Sequence, residues 1–247
     1  MLAPAALALV LAAPGCELPA LAAVRPFAPG ETLSYEVGFV GAEGAGQATL
    51  AVHPPAADGT LPVTFEASHR SVLGRVAFRA RSVLRGDTLR PVRFHDDQEG
   101  AGGRRSTDAH LARSTLAVRV DWRVDGKAGM NAYRRARGLL DIASALPYLR
   151  AAALRPGEPF CFDAVGATAY WHVQGRVGAA SEVVATPAGR FEALRLDGHV
   201  RRVGSEPLRV PVTLWITTDG ARLPVAAEMG SPIGTVRARL TAFAPGR

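Results

Sequence analysis

Apolar and polar residues alternate with a period of two through nearly the whole of this chain, and no other feature limits its fold so tightly. Successive side chains of a strand point to opposite faces, so the alternation marks strands with one dry and one wet face. Leu33, Tyr35, Val37 and Phe39 share one face. Val76, Phe78, Ala80, Ser82 and Leu84 alternate against Arg75, Arg79 and Arg81. The clearest run sets Leu116, Val118, Val120, Trp122 and Val124 against Thr115, Arg119, Asp121 and Arg123. Further strands are expected over 47–53, 62–68, 88–94, 159–164, 169–177, 182–186, 191–200, 210–217, 223–229 and 234–243. Their connections carry turn chemistry in Ala57-Asp58-Gly59, Val124-Asp125-Gly126, Pro187-Ala188-Gly189 and Thr218-Asp219-Gly220. An all-β, mainly antiparallel fold follows, with a single curved sheet closing into a β-barrel or remaining an open half-barrel. Residues 96–107, rich in Gly and charge, read as a long exposed loop.

One segment breaks the rhythm. Gly138-Leu139-Leu140-Asp141-Ile142-Ala143-Ser144-Ala145-Leu146 has the apolar spacing of a short helix, so one helix is expected near 139–149. Asp141 is placed to cap its start, and Pro147, which lacks a backbone donor, should end or kink it before Tyr148.

The front of the chain bears on destination. Residues 1–22 read as a signal peptide and 23–247 as a single exported domain. The apolar stretch 2–13 is too short to span a bilayer, and Ala20-Leu21-Ala22 supplies a small-x-small cleavage site before Ala23. No Lys or Arg precedes the apolar run. Ala13-Pro14-Gly15-Cys16 offers a second reading, a lipobox in which Cys16 is lipidated and anchors the protein to the outer membrane. After cleavage at Ala22 only Cys161 remains, so no internal disulfide is expected and stability must come from apolar burial. Export to the periplasm takes cytosolic cofactors and nucleic acid off the list of partners. The net charge of +7 is no argument for nucleic acid, because Lys127 is the only lysine in a chain rich in Ala, Gly and Pro.

Several segments, taken together, carry a family resemblance. They are Pro26-Phe27 with Gly30-Glu31-Thr32-Leu33-Ser34-Tyr35-Glu36-Val37, and Asp141-Ile142-Ala143-Ser144-Ala145-Leu146-Pro147-Tyr148-Leu149-Arg150. To these are added Thr186-Pro187-Ala188-Gly189-Arg190-Phe191-Glu192-Ala193 and Trp215-Ile216-Thr217-Thr218-Asp219-Gly220-Ala221-Arg222-Leu223-Pro224-Val225. Their order and spacing over 27–243 resemble the bacterial exported family known as domain of unknown function 3108, with a departure at Pro147. The resemblance implies a curved antiparallel sheet or barrel akin to lipocalin-like or lipoprotein-carrier folds, and no established activity.

Chemical motifs are sparse. The sequence contains no Gly-x-Ser-x-Gly elbow, no His-Glu-x-x-His helix, no phosphate-binding Gly-rich loop with Lys and no Cys-x-x-Cys. His95-Asp96-Asp97-Gln98-Glu99 could pair a general base with a carboxylate or hold a hard cation, but a solvated acidic loop is the expectation. His69, His110, His172 and His199 are scattered, so no metal site is expected, and Cys161 between Phe160 and Phe162 reads as an inert thiol. No residue is assigned a catalytic role and no cofactor is expected. The arginine pairs Arg79 and Arg81, Arg119 and Arg123, Arg201 and Arg202, and Arg237 and Arg239 read as the wet face of the sheet, or as contacts for an anionic membrane surface.

The interior then carries the functional expectation. Tyr35, Phe39, Phe65, Phe78, Trp122, Tyr170 and Trp215 are the residues expected to line it. The segment containing Leu140, Ile142, Leu146 and Leu149 is the lid or plug. The leading reading is a non-catalytic cell-envelope protein that binds an apolar or amphipathic molecule, such as a lipid or polymer intermediate, inside the barrel. The alternative is a structural or assembly factor with a solid core that binds another envelope component, and an enzyme would need His95, Asp97 or Cys161 to meet in one cleft.

Overall fold

The computed structural model describes residues 16–39, 42–71, 74–100, 103–111, 117–134, 138–204, 208–231 and 234–246. The apolar stretch 2–13, Leu116 and the side chain of Phe39 lie outside the described residues.

The alternating segments form one 15-stranded sheet. Strand β1 (Thr32–Phe39) lies in the middle and is followed by a meander of hairpins: β2 (Ala42–Val52), β3 (Thr60–Ser71), β4 (Gly74–Arg85), β5 (Pro91–Gly100), β6 (Gly103–His110), β7 (Ala117–Val124) and β8 (Lys127–Arg134). The chain then crosses to the far edge with β9 (Leu139–Asp141), the helix α1 (Ala145–Ala151) and β10 (Pro159–Gly166). It returns through β11 (Ala169–Thr186), β12 (Gly189–Arg202), β13 (Arg209–Thr217) and β14 (Pro224–Ser231) to β15 (Gly234–Ala244), which pairs with β1. Every pairing is antiparallel except that of β9 with β10, which are joined through α1. A parallel pair needs such a crossover, whereas a hairpin joins an antiparallel one.

Three local expectations are corrected. The segment 96–107 is not a loop but the β5–β6 hairpin, with Asp96 and Thr107 directly opposite and both buried. Leu139, Leu140 and Asp141 extend as β9 instead of opening the helix. The helix begins at Ala145, with Ser144 as its N-cap. Pro147 therefore falls in the first turn, where a backbone N–H has no helical partner, and the helix runs on to Ala151. Asp141 caps the preceding turn instead, its Oδ1 accepting from the Ala143 and Ser144 amides at 2.9 and 2.8 Å.

The sheet ends, β8 and β9, follow one another in sequence, yet among the described residues no ladder joins them. The sheet rolls past closure instead. Leu140, Phe160, Phe162 and Ala164 face a large core with Leu33, Leu50, Val63, Leu84, Leu196, Ile216 and Leu240. Leu139, Ala143, Val165 and Tyr170 face a second core with Ala80, Phe94, Ala109, Leu111, Val118 and Val120. The β9–β10 edge is thus buried on both faces, one turned to the interior and one covered by β4–β7. Each fully buried Leu or Phe here contributes about 2 to 3 kcal/mol relative to exposure.

Candidate functional site

Polar side chains take over where the backbone ladder stops. The Ser82 hydroxyl on β4 donates to Asp141 Oδ2 at 2.6 Å, linking one arm of the sheet to β9. The β10–β11 hairpin turns through Ala167 and Thr168, with φ of 49° and 61°. A two-residue hairpin turn of this type needs positive φ at both positions, which costs a residue with a Cβ and most of all a β-branched one. The facing hairpin holds the strained turn: the Ala167 amide donates to Asp96 Oδ2 at 2.6 Å and the Thr168 amide to Thr107 Oγ1 at 2.7 Å. Burial pushes the Asp96 carboxyl up to about 6, against the hydrogen bonds from Ala167 and Thr107. Burial does the same to Asp141, also to about 6, against its bonds from Ser82, Ser144 and Ala143.

A second polar group crosses the mouth of the interior. Arg150 at the end of α1 is completely buried and pairs with Glu31, which is 3 % exposed. Its guanidinium also donates to the carbonyls of Arg222 at 3.0 Å, Ala221 at 2.9 Å and Pro26 at 3.3 Å, and stands 5.4 Å over the Phe27 ring. Arg222 donates back to the Ala152 carbonyl at 3.1 Å and to that of Arg150. The helix is thereby fixed to the approach to β1 and to the β13–β14 turn.

The third group surrounds a disulfide. Cys16 and Cys161 are bonded, with Cα atoms 5.2 Å apart, which corrects the expectation of a fold without a disulfide and of a free Cys161 thiol. A sulfur held in a disulfide cannot also carry a thioether lipid, so this bond and a lipidated Cys16 exclude one another. Beside the bond, His172 stands 3.8 Å from Cys16 Sγ, and Asp163 bridges His172 Nδ1 and the Tyr170 hydroxyl at 2.8 Å each. Gln174 continues the row, 3.3 Å from His172 and 2.8 Å from His199. Cys16, Cys161 and His172 bring their donor atoms within 4.8 Å of one another. With the two sulfurs bonded to each other, only the imidazole is a competent metal donor.

The row continues as a basic face. His172 lies opposite Arg201, and Arg201 opposite Arg209, across β11, β12 and β13. Desolvation, followed by the charges of Arg209, His172 and Arg201, holds His199 below the usual imidazole range. Three arginines on other strands are neutralised: Arg119 bonds Asp121, Arg237 bonds Glu228 and Arg239 bonds Glu36. Among the described residues Arg201 and Arg209 have no carboxylate partner.

The expected interior lining does not form one chamber. Tyr35 lies in the large core, its hydroxyl donating to the Pro224 carbonyl at 2.9 Å. Phe65 touches both cores, and its ring is 6.1 Å from that of Phe78, which packs on the second core. Tyr170 also belongs to the second core and stacks on Tyr133 at 4.9 Å. Trp122 shares the face of Val118 and Val120 and covers Gly129, where an added Cβ would lie 2.3 Å from the indole. Trp215 is half-buried and packs against the large core from its margin, with its indole N–H bonded to Glu182 and its ring 5.6 Å from the Arg195 guanidinium. Leu140, Leu146 and Leu149 pack on the large core and Ile142 on the second, so the helical segment fills the interior.

The acidic run is corrected too. His95 lies between Asp108 and Asp97, with a ring nitrogen 2.8 Å from each. Desolvation lowers its pKa, but the bonds and charges of the two carboxylates outweigh it and raise the imidazole above its ordinary value. An imidazole engaged at both nitrogens has no lone pair free for a general base. Cys161 is bonded to Cys16 and stands beside His172 rather than His95. Sequence reasoning missed Glu31, Ser82 and Thr107, whose signal was polarity at positions where the strand period calls for a core residue, and Arg150, which lies on the helix and carried no such signal.

Comparison with known proteins places this geometry. The profile of the family described as "Protein of unknown function (DUF3108)" matches residues 32–241. A β-barrel-like protein of domain of unknown function DUF1849 from Brucella abortus is similar in structure. The TM-score is 0.58 at 10% identity, covering 90% of this chain and 99% of that one. A Bacteroides fragilis protein with a YmcC-like fold gives a TM-score of 0.36 at 10% identity, covering 93% of this chain and 99% of its own. A candidate lipoprotein from Parabacteroides distasonis gives 0.38 at 10% identity with the same coverages. No curated protein matches.

Proposed function

The chain belongs to the DUF3108 family of proteins of unknown function, and from that starting point we propose that it is an exported, non-catalytic envelope scaffold with a solid core. Its role is to hold or assemble another envelope component. The observation that carries this reading is the position of β9, β10 and α1. The concavity that a carrier would keep for its ligand holds Leu140, Leu149, Phe160 and Phe162. Tyr35, Phe65, Phe78, Tyr170 and Trp215, which would have lined a ligand chamber, are divided between two cores. Export is supported by the Cys16–Cys161 disulfide, since such bonds persist in oxidising compartments. The surface offered to a partner is the face of His199, Arg201 and Arg209, whose charge suits an acidic component.

Native mass spectrometry of the protein released from the envelope without detergent tests the reading. The expected spectrum is that of the bare polypeptide. Co-purifying lipid or polymer masses, lost when the interior is disrupted, would restore the carrier reading.

A further inference from the structure

We infer that the export leader is cut upstream of Cys16, and that residues 16–22 stay with the mature protein as a clasp that the Cys16–Cys161 disulfide locks over α1. The inference rests on the export reading above but places the cleavage differently from the small-x-small site at Ala22.

The segment is bound along its length. Its first residue forms the disulfide. The Tyr148 hydroxyl donates to the Pro19 carbonyl at 2.9 Å. Leu21 bridges Ala152, with the Ala153 amide donating to the Ala20 carbonyl at 2.8 Å and the Ala22 amide to that of Ala151 at 2.7 Å. Leu18 and Leu21 pack on the large core. Gly138 completes the fit: a Cβ there would lie 3.1 Å from both the Cys16 carbonyl and the Leu18 amide, so the clasp passes close to the start of β9.

Cleavage after Ala22 would remove all of this. Ala151 and Ala152 are buried at 1 % and 0 % exposure, and their surroundings would lose the chain that covers them. The Ala151 carbonyl, the Ala153 amide and the Tyr148 hydroxyl would each lose a partner. Two small alanines at a strand-like position satisfy a leader peptidase and an edge bridge equally well, so Ala20-Leu21-Ala22 is explained without cleavage.

The chemistry has two balanced steps. A leader peptidase hydrolyses one peptide bond upstream of Cys16, consuming water and leaving a carboxylate on the leader and an α-amine on the mature chain. The Cys16 and Cys161 thiols then give two electrons and two protons to the disulfide of an exchange protein, which leaves as a dithiol.

The test is mass analysis of the full-length chain expressed in a bacterial host, after separating the exported fraction from the cytosol. The expected result is an exported protein whose N-terminus is at or before Cys16. Its cysteines resist alkylation until reduction adds the mass of two hydrogen atoms, and both are then modified. An exported protein starting at Ala23 overturns the clasp while leaving export standing. So does a lipid on Cys16. Recovery only from the cytosol with Met1 intact overturns export, and the processing step with it.

Discussion

Replacing Arg150 with Met probes how the helix is held, and its cost can be worked from the structure. The substitution keeps most of the apolar stem but strands the Glu31 carboxylate, 3 % exposed, without its counter-charge. Removing one partner of a buried pair costs about 3 to 5 kcal/mol. The carbonyls of Ala221 and Arg222 lose charged donors as well, at about 1 kcal/mol each. The expected loss is therefore about 5 to 7 kcal/mol, or about 10 to 25 °C in Tm for a chain of this size. Urea unfolding followed through the tryptophans measures it, with the midpoint falling and the slope unchanged. The double variant E31Q/R150M removes the stranded charge and should recover about 2 kcal/mol relative to the sum of the single changes. If R150M is too unstable to recover, E31Q alone, expected to cost about 3 kcal/mol, carries the measurement. An R150M loss below about 1 kcal/mol, or additive single and double variants, would refute the reasoning.

Three further outcomes are expected. Asp96 and Asp141 bind protons more tightly when folded, both being pushed up to about 6 from 3.8, so stability is fully present below the unfolded value and declines as pH rises through about 6. Going from about pH 7.5 to about 5.5 should add roughly 0.8 kcal/mol per group, with His95 acting in the same direction, and D96N and D141N should each flatten the Tm–pH profile. An unchanged profile in both variants counts against the assignment. The Cys16–Cys161 bond spans 145 residues, for which chain entropy gives about 5 kcal/mol, so C16S or reduction should lower Tm by roughly 10 to 20 °C in calorimetry. At the β10–β11 turn, A167G and T168G should each raise stability by about 1 kcal/mol in denaturant titrations by relieving positive φ, and a loss at both positions would show that the turn is unstrained.

Strands such as β4 and β7 could be read from the sequence because one face meets water and the other a core, which is the condition for clean alternation. β9 could not, because burial on both faces leaves Leu139-Leu140-Asp141 without a polar phase, and a short apolar run is equally a helix. The β5–β6 hairpin was hidden for the opposite reason: its inward positions include Asp96 and Thr107, whose polarity serves a turn 60 or more residues further along the chain. The Arg195 guanidinium beside Trp215 could not be read either, because that contact depends on pairing across strands. The disulfide was missed through a boundary. A leader ending at Ala22 removes Cys16 as a partner for Cys161.

The seam between the β9–β11 end of the sheet and strands β4–β6 is bridged by side-chain bonds from Ser82, Asp96 and Thr107, with no row of backbone pairs among the described residues. Parting it breaks a few hydrogen bonds and exposes the second core, while every ladder and the large core remain intact. Such a molecule has a preferred line of opening. Hydrogen exchange at the Ala167 and Thr168 amides therefore reports a local event, on its own free-energy scale, well before the barrel-like body unfolds.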